Sequence, residues 1–216
     1  MPRGSLAGYV TAIRAESDRL AALLDGADLE APVPSCPEWV LRDLVLHLGD
    51  VQRFWAANVR AADVGGPCTI DVPDPSGDDD FAGWMAESTG LLAAALDKAG
   101  GDDPCWTWWG EPATAGAVGR HQVQEAAVHR WDAEATVGEP RPLGPDVADD
   151  GVDEFFAVML SSAGPDDGAG SGNTRSGNTG SGNTGSGNTG SGDTGSGTIV
   201  FGATDSGRAW WVGGGT

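Results

Sequence analysis

Residues 119–134 read GRHQVQEAAVHRWDAE, and the interpretation of the whole chain depends on this segment. It has no Gly or Pro after its first residue and is rich in residues that helices tolerate, so it predicts a helix. Positions four apart lie on one helix face, and His121, Glu125 and His129 are spaced in this way. A carboxylate one turn before an imidazole, pointing into a bundle, is a common half of a metal site. An ion would need at least one further ligand from another helix.

The third and last histidine of the chain, His47, is the available partner. It lies in a segment whose apolar residues recur at the spacing of a buried helix face: Leu41, Leu44, Val45, Leu48 and Val51. His47 is therefore expected near or among core positions. A histidine on an apolar face is more often a structural core residue than a ligand. Residue types alone leave the structural and the metal-binding interpretations of His47, Glu125 and His129 about even.

Length and charge limit the functional classes. The 216 residues suffice for one domain of ordinary size and additional segments. The 32 acidic and 12 basic residues give a formal net charge of -20, which argues against nucleic acid and anionic membranes as partners because their phosphates would be repelled. Three cysteines without a CxxC pair form neither a disulfide framework nor a cysteine zinc site. Because no signal peptide or membrane-spanning run is evident, a reducing cytoplasm is the expected location.

Four more apolar patterns predict helices. They begin near Ser5, Trp39, Phe81 and Asp146, and the last is expected to run to Leu160 with a buried face of Val152, Phe155, Phe156 and Met159. Together with residues 119–134 they predict an all-α fold: a four-helix bundle with an extra helix, over residues 5–162.

Several side chains near the candidate ligands have alternative interpretations. His121 is expected in a first helical turn near solvent, although it could also be a further ligand or a base near the metal. Arg130, Asp132 and Glu134 are expected to face away from the core or to pair locally. Cys36 is interpreted as a small buried residue and not as a reactive thiol. The connector 104–110 has three tryptophans in four residues, at Trp106, Trp108 and Trp109, and forms either a wall of a substrate cavity or a lid over the bundle end.

The composition changes abruptly after residue 163. A five-residue repeat of Ser, Gly, Asn and Thr has no apolar side chains to bury, so residues 163–197 are predicted to be a disordered linker. Two β-prone runs then flank Asp205-Ser206-Gly207 and predict a short β-hairpin within residues 198–216.

Three segments resemble the mycothiol-dependent maleylpyruvate isomerase family. Residues 36–49, CPEWVLRDLVLHLG, are similar to its opening motif, and residues 125–134, EAAVHRWDAE, to its second motif. Residues 145–155 resemble the helix that follows. The resemblance covers roughly the first three quarters of the chain and implies a DinB-like four-helix bundle. It also implies that His47, Glu125 and His129 bind a divalent metal, usually zinc.

The resemblance further implies an external thiol, because mycothiol supplies the reacting thiol in this family. A metal-activated thiol could serve S-transfer or cis-trans isomerisation, with a small-molecule electrophile or unsaturated acid as partner and a homodimer as an assembly to consider. The alternative is a non-catalytic bundle that binds a metal or a small molecule, as a degenerate family member. The family's second domain, which contributes a substrate-directed arginine, is reduced here to the hairpin remnant. That role is not transferred to Arg208.

Overall fold

The computed structural model of the chain describes residues 4–71, 75, 80–160, 198–202 and 209–213. The chain divides into two units, Met1–Asp167 and Gly168–Thr216, and each is described by itself. The described part of the first unit is helical, and that of the second is a pair of strands. The all-α character predicted for the first unit is confirmed.

Five α-helices follow one another along the first unit. They are α1 (Leu6–Leu23), α2 (Leu41–Ala61), α3 (Phe81–Leu96), α4 (Ala115–Val137) and α5 (Pro145–Glu154), and a π-helical turn, Phe155–Leu160, continues α5. Side-chain oxygens of Ser5, Asp80 and Thr114 accept hydrogen bonds from the first turns of α1, α3 and α4. These N-caps satisfy backbone N–H groups that have no partner within the helix, so they define where each helix begins.

The first four helices form a closed bundle. Both α1 and α2 pack against α3 and α4, and α5 packs on α4. One end of the core is built around residues such as Ile13, Trp55 and Leu92. The other end contains the buried leucines that surround His47 on α2, Leu44 and Leu48. Each fully buried side chain of this kind contributes roughly 1.5–3 kcal/mol of transfer free energy, so the bundle holds α2 and α4 firmly side by side.

A buried polar bridge ties three helices together inside this core. Gln52 on α2 donates to Ser17 on α1 over 2.9 Å and accepts from Thr89 on α3 over 2.8 Å. All three side chains are almost fully buried. Because buried polar groups are costly without partners, this bridge favours one alignment of the three helices.

The start of α2 is set by the segment before it. Val33 donates its backbone N–H to the carbonyl of Trp39 over 2.9 Å, and Leu41 donates to Ala31 over 2.9 Å. These bonds hold the proline-containing segment in a compact turn. Trp39 is thereby placed two residues before the first residue of α2, against His47.

Two expectations were wrong, one about where a helix begins and one about which side chains are buried. Helix α4 begins at Ala115 and not at residue 119, so His121 lies in the second turn and is only 6% exposed. Phe155 was expected in the core and is 48% exposed, while its neighbour Glu154 is buried. The face of α5 that meets α4 carries Gly151, against Gln124, and Glu154, against His121, and not the apolar residues Val152 and Phe155 on which the expectation was based.

The second unit has two strands, Thr198–Gly202 and Ala209–Gly213, paired antiparallel with Val200 opposite Trp211. The predicted turn at Asp205-Ser206-Gly207, Arg208 and the predicted linker 163–197 lie outside the described residues. Among the helices that the structure describes, none combines the length and the hydropathy needed to cross a bilayer.

Candidate metal centre

The three proposed ligands lie together between α2 and α4. One donor atom from each of His47, Glu125 and His129 lies within 4.8 Å of the others. The Nε2 atoms of His47 and His129 are 3.9 Å and 3.5 Å from the same oxygen, Oε2 of Glu125. The two imidazole rings meet edge to face, with their centroids 5.0 Å apart. The bundle thus brings together two segments that are far apart in the chain.

The orientation of His129 fits that of a metal ligand. Its Nδ1 atom lies 3.1 Å from Oδ2 of Asp132, which leaves Nε2 facing Glu125. Asp132 in turn accepts a hydrogen bond from the hydroxyl of Ser35. A carboxylate on the far nitrogen is the usual way in which proteins fix the tautomer and the ring of a metal-binding histidine. Two imidazole nitrogens and a carboxylate oxygen suit zinc and related divalent ions, so the residues present fit such an ion.

One aromatic ring covers part of the cluster. The ring centroid of Trp39 lies 4.9 Å from that of His47 and 6.3 Å from that of His129. The His47 side chain is still 32% exposed, compared with 14% for His129. Trp39 therefore covers one side of the site, and solvent can reach the site beside His47.

The charges within the cluster are strongly coupled. Burial opposes ionisation of Glu125, but the neighbouring imidazoles of His129, His47 and His121 outweigh it and hold the pKa of Glu125 far below its usual range. Burial likewise opposes a charge on His129, but Asp132 and Glu125 raise its pKa to about 9. In the absence of an ion, the imidazole of His129 is therefore protonated on both nitrogens and positively charged near neutral pH. A divalent cation would replace this positive charge.

His121 belongs to the same cluster, contrary to the expectation that it faces solvent. Its Nε2 atom lies 3.5 Å from Oε1 of Glu125, and its Nδ1 atom lies 2.8 Å from Oε1 of Glu154. Both His121 and Glu154 are buried. Sequence reasoning missed Glu154 because nothing local connects α5 to the ligands. Asp132 forms a local pair, one of the two outcomes expected for it, and its partner is His129, three residues earlier.

Arg130 does not face away from the core; it is completely buried. Its Nε donates to Glu16 over 2.7 Å, and its Nη1 donates to Glu134 over 2.6 Å and to the carbonyl of Arg141 over 2.8 Å. Arg130 lies on the face of α4 that packs against α1, which explains why a charged residue is enclosed there. The network fixes α4 against α1 next to His129.

The tryptophan-rich connector lies against His121. The ring centroids of Trp109 and Trp108 are 5.1 Å and 6.0 Å from that of His121, and Trp55 of α2 lies 6.1 Å away. Trp108 is 43% exposed. The connector therefore places aromatic surface beside the site, in keeping with the cavity wall that was one of its two interpretations.

The cysteines nearest these elements are not activated. Cys36 is partly buried, and burial together with the negative charge of Asp132 raises the pKa of its thiol. Cys105 is fully buried, and burial raises the pKa of its thiol to about 11. Neither environment stabilises a thiolate, so neither side chain is suited to be a nucleophile at neutral pH.

The first unit is therefore a four-helix bundle that carries a candidate metal centre, the His-Glu-His cluster between α2 and α4. The family model for the mycothiol maleylpyruvate isomerase N-terminal domain matches residues 10–134, more than half of the chain, and the chain belongs to this family. The matched region includes His47, Glu125 and His129. Comparisons with curated proteins and with solved structures gave no match.

Proposed function

We propose that the chain is a divalent-metal-binding, mycothiol-dependent enzyme in which His47, Glu125 and His129 hold the ion. Zinc is the ion that the donor set favours. The observation that carries the proposal is the convergence of the three donors within 4.8 Å, with His129 held by Asp132. Membership of the mycothiol maleylpyruvate isomerase family supports mycothiol as the external thiol.

Three protein ligands are characteristic of a catalytic ion, because they leave a position for an exogenous group. A divalent ion bound there would lower the pKa of a coordinated external thiol, so that it is a thiolate near neutral pH. The solvent-accessible side of His47 supports the entry of such a thiol. The unactivated state of Cys36, the cysteine adjacent to Ser35, supports an external thiol over one from the protein.

The remaining side chains would orient and enclose the reactants. Asp132 holds the His129 ring, and Trp39 covers one side of both imidazoles. Trp108 and Trp109 offer apolar surface against His121. A thiolate that adds to an activated double bond and leaves after rotation isomerises it. A thiolate that stays attached completes an S-transfer, either when the carbanion formed by addition to the double bond takes up a proton or when the thiolate displaces a leaving group from the electrophile. The substrate is thus a small-molecule electrophile or an unsaturated acid.

The test begins with the metal content of the purified full chain. We expect close to one divalent ion per chain in the wild type and a large loss in His129→Ala. Val128→Ala is the matched control, since Val128 precedes His129 on α4 but is 46% exposed. Retention of metal by His129→Ala would contradict the proposed site.

Activity is then measured as consumption of mycothiol with a model electrophile, and as isomerisation of an unsaturated acid. We expect turnover that requires the metal and is lost in His129→Ala. Metal binding without turnover in either assay would refute the enzymatic part of the proposal and support a non-catalytic metal-binding bundle.

A further inference from the structure

Glu125 lies between two histidines of its own helix, each of which is held by a second carboxylate. His129, one turn later, has Nε2 3.5 Å from Oε2 of Glu125 and Nδ1 3.1 Å from Asp132. His121, one turn earlier, has Nε2 3.5 Å from Oε1 of Glu125 and Nδ1 2.8 Å from Glu154. The two oxygens of Glu125 thus face two different histidine-carboxylate pairs.

We propose that His121, held by Glu154, is a positioning residue that keeps Oε1 of Glu125 away from the ion, so that Glu125 offers a single oxygen to the site of His47 and His129. This inference rests on the proposed metal site. It gives a role to His121 and to Glu154, a residue of α5 that lies outside the region matched by the family.

Burial and packing fix the orientation of the His121 ring, with one nitrogen toward Glu125 and the other toward Glu154. The His121 side chain is 8% exposed and that of Glu154 is 7% exposed, so each needs a polar partner within the protein. The rings of Trp55 and Trp109 lie on the imidazole and limit its rotation. Among the residues that the structure describes, the group of donors close enough to share an ion comprises His47, Glu125 and His129 but not His121. His121 therefore acts on an ion through Glu125.

The consequence concerns how many positions around the ion Glu125 occupies. Carboxylates can bind a metal through one or both oxygens. With Oε1 held by His121, Glu125 takes one position and leaves room for an incoming thiol. Without that hold, Oε1 is free to turn toward the ion, which raises the number of protein oxygens around it and changes its electronic environment.

The experiment uses the full chain loaded with Co²⁺, whose visible absorption weakens as its coordination number rises. Affinity is measured by competition with a chelator. For His121→Gln and for Glu154→Gln we expect weaker visible bands, because the second oxygen of Glu125 joins the ion. We expect an affinity about 10- to 100-fold lower, because the loss of the partner that orients Glu125 outweighs the gain of that oxygen. Glu154→Gln keeps the size and the polar character of the side chain, so it provides a variant that preserves the packing of α5.

Asp150→Asn is the matched control. Asp150 also joins α5 to α4, through a two-bond ion pair with Arg120 of 2.9 Å each, but this pair does not involve Glu125. We expect Asp150→Asn to lower the melting temperature and to leave the Co²⁺ spectrum and affinity unchanged. A purely structural role of Glu154 would make the two α5 variants behave alike.

The inference is overturned if both His121→Gln and Glu154→Gln bind Co²⁺ with the wild-type spectrum and affinity. Failure of the wild type itself to bind Co²⁺ is a distinguishable result, because it overturns the proposed function and the inference that depends on it.

Discussion

The Nδ1 atom of His129 lies 3.1 Å from Oδ2 of Asp132, three residues further along α4. Burial alone would raise the pKa of Asp132, but hydrogen bonds from His129 and Ser35 lower it, so the carboxylate is charged at neutral pH. This contact therefore orients the imidazole and increases the electron density at Nε2, the atom that faces Glu125 and His47.

The first prediction concerns this contact. We expect Asp132→Asn to reduce the affinity for zinc about 10- to 100-fold, because the amide keeps the shape but lacks the charge that orients and polarises His129. Chelator competition measures the change. Ser35→Ala is the companion variant, and we expect a smaller effect because it removes only a hydrogen bond to Asp132. Equal zinc affinity in Asp132→Asn and wild type would show that Asp132 does not support the site.

The second prediction concerns the buried Arg130 network. Arg130→Met removes the buried cation that Glu16 and Glu134 share and leaves them only the longer 3.5 Å pairs with Arg19 and Arg141. We expect a loss of about 3–5 kcal/mol in the free energy of unfolding. Arg42→Met is the control, because its partner Glu30 is 68% exposed and such surface pairs contribute at most about 1 kcal/mol. Urea unfolding of both variants provides the comparison, and similar losses would contradict the assigned role of Arg130.

The third prediction concerns acid stability. Burial raises the pKa of Glu134, but the N–H of Arg141 and the charge of Arg130 outweigh it, so its pKa in the folded state is below the ordinary 4.5. A lowered pKa means that the unfolded chain takes up a proton first as the pH falls. The stabilisation is thus complete above about pH 4.5 and is lost as the pH falls through the lowered pKa.

We therefore expect the free energy of unfolding to fall steeply below pH 4.5 in the wild type and less steeply in Glu134→Gln. Urea unfolding of the metal-free chain at a series of pH values measures this. Glu139→Gln, an exposed site just after α4, is expected to follow the wild type. Parallel curves for Glu134→Gln and wild type would rule out the predicted linkage.

The fourth prediction concerns Gly49, two residues after His47. A Cβ atom there would overlap with Cζ3 of Trp84, and the guanidinium of Arg53 packs over the same ring, 5.1 Å from its centroid. We expect Gly49→Ala to destabilise the chain by about 1–3 kcal/mol, because Trp84 must move.

Gly90→Ala is the matched control for Gly49→Ala. Gly90 also lies inside a helix, but a Cβ there would meet nothing within 4 Å. We expect this change to be neutral or to stabilise α3 by up to about 1 kcal/mol. Thermal or urea unfolding distinguishes the two variants, and a stable Gly49→Ala chain would show that Trp84 can be accommodated elsewhere.

Much of the fold was predictable because it follows from local patterns. The apolar stripes of α1, α2 and α3 were recognised from their 3.6-residue period, and α4 was recognised from its helix-tolerant composition. The match to residues 10–134 confirmed the family that residues 36–49 and 125–134 had indicated. The errors occurred where a neighbouring helix decides the environment. His121 and Arg130 are polar residues on helix faces that the sequence could not assign to solvent or core.

The order of the helices and the shared face of His121, Glu125 and His129 follow from the sequence, since spacings of four residues are a local property of a helix. The contacts of Glu154 with His121 and of Glu16 with Arg130 depend on the packing of the helices, because they join residues 33 and 114 positions apart. This packing also determines which side of α4 meets α2. Helical periodicity states which side chains point the same way, whereas the packing of whole helix faces determines what they point at.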